Sequence, residues 1–97
     1  MRIENKADRW VWVIVQDPER DERFLGQHDE EQGVSFIPVF LEKEQAQNAL
    51  PHLARDRSLK YQPQAIFYAD LASHAAGNGF QLYLLDEEGR VLEKIIP

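Results

Sequence analysis

Three stretches of this chain are apolar on both sides at once. Side chains alternate across a β-strand, so odd and even positions give the two faces. From Trp10 to Gln16 one face carries Trp10, Trp12 and Ile14, and the other Val11, Val13 and Val15. From Val34 to Phe40 the faces are Val34, Phe36, Pro38, Phe40 and Ser35, Ile37, Val39. From Phe80 to Leu85 they are Phe80, Leu82, Leu84 and Gln81, Tyr83, Leu85. An antiparallel sheet with one wet face shows apolar and polar residues in alternation. This sheet needs cover on both sides.

Helix is in short supply. Ala46, Ala49, Leu50 and Leu53 recur at helical spacing within Leu41–Leu53, and Glu42 and Glu44 suit a helix N-terminus. Pro51 cannot sit comfortably inside a helix, so the helix is expected to end near Ala49 and resume as a turn. A second short helix is expected over Leu71–Ala76, with Asp70 as N-cap and Gly77 as its stop. Further strands are expected at Ala65–Ala69 and Arg90–Ile96, and a short one at Phe24–Gln27. Asp17-Pro18 and Gln32-Gly33 mark turns, Asp86-Glu87-Glu88-Gly89 a hairpin loop, and Pro38 an edge position or a gap in the ladder. The order predicts an α+β fold, a mainly antiparallel sheet of about five strands with two short helices on one face. Ninety-seven residues allow a single domain, 1–97, with the polar stretch 1–8 expected to fray.

Five strands make a sheet about 24 Å wide and about 17 Å tall, roughly 400 Å² a side. An exposed apolar area of that size marks an interaction surface. The face bearing Trp10, Trp12, Ile14 and Phe36 is therefore expected to be left uncovered and to meet a second copy of the chain, as a homodimer, or a protein partner. The competing expectation is that the sheet curls, or that the N-terminal or acidic segment folds back over it.

Charge narrows the partners. The net charge is −6, and residues 17–31 alone hold seven acidic and two basic residues. Such a field repels nucleic-acid phosphates and anionic membranes. The one basic cluster, Arg55, Arg57 and Lys60, is interrupted by Asp56 and lacks interleaved aromatics. The longest apolar run, Trp10–Val15, is six residues, too short to span a bilayer. The absence of cysteine excludes disulfides, thiolate metal sites and thiol nucleophiles. With no basic and apolar leader at the start, a cytoplasmic setting is expected.

Candidate chemistry is sparse. His28, His52 and His74 share no metal-ligand spacing, and His28-Asp29-Glu30-Glu31 reads as a solvated loop. Asp70, Ser73 and His74 have the residue types of a triad, but Ser73 and His74 are adjacent in sequence and Asp70 is expected to cap a helix. Asp86, Glu87 and Glu88 lie in an exposed hairpin tip, and Gly77-Asn78-Gly79 reads as a turn. No catalytic, cofactor or metal site is expected.

The run Gly33-Val-Ser-Phe-Ile-Pro-Val-Phe40 followed by Leu41-Glu-Lys-Glu-Gln-Ala46 joins a proline-bearing strand to a helix with an early alanine. It resembles a unit of the SseB N-terminal domain and of related small bacterial domains of unknown function. Residues 65–93, a strand, short helix and hairpin, are similar in order. The likeness spans 33–94 and leaves out the first strand and the acidic segment. It implies a small cytoplasmic α+β domain and carries over no catalytic residue. The expected function is thus a non-catalytic interaction module that self-associates through an apolar sheet face. The alternative is a regulatory domain with a small-ligand pocket lined by Phe36, Tyr68 and Tyr83.

Overall fold

The computed structural model describes residues 9–20 and 22–97, and the expected fraying of 1–8 lies outside the described residues. Seven strands and two helices follow in the order β1 (Trp10–Gln16), β2 (Arg23–Phe24), β3 (Gln27–Asp29), β4 (Val34–Val39), α1 (Lys43–Ala49), β5 (Tyr61–Phe67), α2 (Tyr68–Gly77), β6 (Gln81–Leu85) and β7 (Val91–Ile95). The class is α+β. The expected single sheet is instead two: a three-stranded sheet, β2-β1-β5, and a four-stranded one, β3-β4-β6-β7. All pairings are antiparallel except β4 with β6.

The sheets meet at one residue pair. Trp12 donates its N–H to the Phe40 carbonyl, and Phe40 donates back to the Trp12 carbonyl, both at 2.8 Å. Beyond that pair β1 and β4 part, and residues 23–29 fill the gap as β2 on β1 and β3 on β4. Pro38 sits where they part. By strand alternation its missing N–H points to the same side as that of Phe40. The position lies between the last β3 pair, Gln27 with Phe36, and the Trp12 contact. Here a proline costs no ladder bond.

Each helix covers a different face, which corrects the expectation that both share one. On one side α2 presses Tyr68, Leu71 and Ala75 onto Val11, Val13, Ile37, Val39, Leu82 and Leu84. On the other α1 sets Ala46 and Ala49 against Ile14, Phe36, Phe40 and Tyr83. Two alanines with no exposed surface let this seven-residue helix lie close to the strands. The helix ends at Ala49 as Pro51 requires, and Leu50–His52 continue as a 3-10 turn.

The rest of that face is covered by irregular chain. Leu53 enters the core, and residues 54–60 are pinned by side chains. The Gln27 amide accepts from the Ala54 N–H at 2.9 Å and donates to the Ala54 carbonyl at 2.6 Å. Arg55 donates to the carbonyls of Leu50 and Leu53, closing the end of the 3-10 turn. The Tyr61 hydroxyl bridges the backbone of Asp56, accepting from its N–H and donating to its carbonyl.

Two further boundaries differ from expectation. The third long strand starts at Tyr61 rather than Ala65, because seven register pairs with β1 hold it. Helix α2 begins at Tyr68, with Phe67 in the N-cap position, and Asp70 lies in its first turn. The Tyr68 N–H, the first donor of the helix, is met by the Arg9 carbonyl at 2.8 Å.

The β6–β7 hairpin closes on Asp86. Its carboxylate accepts from the N–H groups of Glu88 and Arg90 and from the Arg90 guanidinium, all at 2.9 Å. Gly89 has φ +80°, and a Cβ there would come within 3.3 Å of His52 Cβ. Gly77 is helical with open space around its Cα. Gly89→Ala is therefore expected to lower unfolding free energy by about 1–2 kcal/mol, and Gly77→Ala to raise it by about 0.4–1 kcal/mol. Urea titrations of the two variants, read by far-ultraviolet circular dichroism, check the opposite signs.

Candidate functional site

The structure separates the four residues expected to form an interface. Ile14 (2% exposed) and Phe36 (9%) are buried beneath α1 and the 3-10 turn. Trp12 is half-buried at the margin of that core. Trp10 stands out, 63% exposed. The uncovered sheet face is thus reduced to one corner.

That corner is built by β1 and β5. Trp10 and Trp12 project to the same side and stand opposite Phe67 and Ala65 in the register. The Trp10 and Phe67 rings meet edge to face, 5.5 Å between centroids at 65°. This geometry suits their ring quadrupoles. The Arg9–Tyr68 hydrogen bond ties the backbone beside Trp10 to the start of α2. A large apolar side chain thus leans on Phe67 with most of its surface in water.

Among the described residues, the other exposed large apolar ones are Val91, Leu92 and Ile96, on β7 and just after it. The β6–β7 register slips between Leu84 and Leu85, leaving Leu92 as a bulge. Pro63 lies within β5, at the other open margin. A bulge followed by Glu93 and Lys94, and a proline, are poor templates for adding another strand.

The ligand pocket expected from Phe36, Tyr68 and Tyr83 does not form. Tyr68 belongs to the core under α2, whereas Phe36 and Tyr83 stack on the α1 side, 4.0 Å between centroids and 10° apart. Tyr83 is a structural pin. Its hydroxyl donates to Asp29 Oδ2 at 2.7 Å, and Lys94 Nζ lies 3.5 Å from the same oxygen and 5.3 Å from the Tyr83 ring centre. Burial, and then the Asp29 hydrogen bond, push the Tyr83 hydroxyl up to about 12. That same bond is the main cause holding the Asp29 carboxyl below its ordinary value. The group joins β3, β6 and β7 and presents no nucleophile.

A crevice that sequence reasoning missed lies on the α2 face, at the end where β1 and β4 part. It has a volume of about 470 Å³ and is lined by Glu22, Arg23, Phe24, Ile37, His74, Asn78 and Phe80. The Phe24 and His74 rings meet edge to face at 4.8 Å and 89°. Gly26 makes room for Phe80, whose ring would lie 3.3 Å from a Cβ at that position. Phe24 and His74 are fifty positions apart, so no spacing announces them.

The remaining polar candidates do structural work. Asp86 and Arg90 form the hairpin turn, and Arg55 closes the 3-10 turn. Among the described residues no group of three His, Asp or Glu side chains could hold a metal ion, and no helix is long and apolar enough to cross a membrane. Compared with family models, curated proteins and solved structures, the chain matches none.

Asp29 and Asp86 are both held below the usual aspartate value, Asp86 chiefly by the Arg90 N–H. Each therefore adds stability above about pH 4, and that stability is lost as the pH falls through the folded pKa. Asp86→Asn is expected to lower the thermal midpoint at pH 7 and to flatten its fall below about pH 4. Tyr83→Phe keeps the stack but removes the Asp29 bond. It should lower the midpoint by a few degrees with the circular dichroism spectrum unchanged. Calorimetry across pH checks both.

Proposed function

We propose that this chain is a non-catalytic protein-interaction module that self-associates through the Trp10 corner. The observation that carries the reading is Trp10 itself, 63% exposed and braced edge-on against Phe67. Tryptophan is the residue type most often found to dominate binding energy, above all when it is rigid before contact. Covering the rest of its surface, about 125 Å², is worth about 3 kcal/mol per tryptophan.

The partner of choice is a second copy. Trp10 of each copy packs against the Phe67 and Trp12 of the other in a two-fold arrangement that uses the same surface twice. Charge limits the strength of the contact. Each copy brings a net −6, and one corner falls well short of the roughly 800 Å² per partner of a standard interface. The dimer is accordingly weak and strengthened by salt. Its setting is cytoplasmic, in keeping with a cysteine-free acidic chain.

Sedimentation equilibrium from about 1 µM to about 1 mM tests the reading. The mass should rise from 11.3 kDa toward twice that value. Trp10→Glu should hold it at the monomer mass, and Leu92→Glu should leave the rise unchanged. A wild-type chain that stays at 11.3 kDa throughout, or a rise that survives Trp10→Glu, defeats the proposal.

A further inference from the structure

We infer that the crevice between β2 and the C-terminal end of α2 binds a small organic cation with an aromatic body. The cavity exists for a topological reason. Among the described residues, strands β1 and β4 share backbone pairing only at Trp12 and Phe40, so the α2-side layer opens toward the far end of β1. Ile37 forms the floor and Phe24, Phe80 and His74 contribute aromatic walls. Its volume of about 470 Å³ falls among small-molecule sites, roughly 300–1,000 Å³.

The sign of charge follows from what surrounds it. Helix α2 runs ten residues, and its C-terminal pole, the negative end of the helix dipole, borders the crevice at His74 and Asn78. Asn78 spends both its N–H and its side-chain amide on that helix end, donating to the Ala75 and His74 carbonyls. Glu22 adds a full negative charge at the rim, within the most acidic segment of a chain of net −6. Arg23 also lines the crevice and its fixed positive charge offsets that of Glu22, so the helix terminus and the acid excess of the surrounding segment set the sign. Aromatic walls beside a carboxylate and a helix C-terminus favour a cation with a flat apolar body. The site is independent of the Trp10 corner, which adjoins the other end of α2, about 15 Å away along the helix.

Two probes with the same ring and opposite charge test the inference: tryptamine and indole-3-propionate. Each is titrated into the isotope-labelled full chain, and amide chemical shifts are followed. Tryptamine should shift the amides of Phe24, His74, Asn78 and Phe80 saturably, with indole-3-propionate at least about tenfold weaker. Glu22→Gln and His74→Ala alter exposed side chains and leave the core alone. Each should weaken tryptamine severalfold. Equal or tighter binding of the anion, no saturable shift at the crevice, or an affinity unmoved by Glu22→Gln would each overturn the assignment. None of these outcomes bears on self-association, which Trp10→Glu reads separately.

Discussion

The fold turns on a single reciprocal pair of backbone hydrogen bonds, Trp12 with Phe40. Among the described residues it is the only place where the strand order passes from the three-stranded sheet to the four-stranded one. Because the join is one residue pair wide, the two sheets share their faces near it and diverge away from it. The shared part gives two continuous cores, one under each helix. The divergent part needs the 23–29 segment as filler, tolerates Pro38 in mid-strand, and leaves the crevice at its mouth. One constraint thus accounts for the core, the odd proline and the cavity.

Much of this was legible in residue order. Two-sided apolar strands announced that neither face suits water, and Pro51 announced where α1 would stop. The inference drawn from them, that too little helix would leave one face bare, fails for a specific reason. Cover comes from Leu50, Leu53 and Tyr61 beside α1, and the chain between them is held by Gln27, Arg55 and Tyr61 through side-chain bonds to backbone. The Gln27 bond spans 27 positions and repeats with no period, so periodicity cannot reveal it. Residues Tyr61–Gln64 look like loop by composition, yet pairing with β1 makes them strand. Asp70 has the chemistry of a cap but lies inside the first turn, because the helix already begins at Tyr68.

The four interface candidates show the same division. Their shared parity was right as geometry, and all four sit on the α1 face. What parity cannot give is how far along a strand the cover extends. Cover reaches Ile14 and Phe36, thins at Trp12 and has ended at Trp10. The crevice was invisible for a complementary reason. Its walls come from β2, β4, the end of α2 and the start of β6, and such a meeting is decided by topology rather than by any local pattern.

The two outer strands farthest from the join between the sheets, β5 and β7, carry a further meaning. One holds Pro63 and the other the Leu92 bulge with its charged successors. Neither offers the flat, unbroken row of donors and acceptors on which stacked fibrils grow. Molecules of this kind can meet through side chains but cannot lengthen into a filament by borrowing each other's strands.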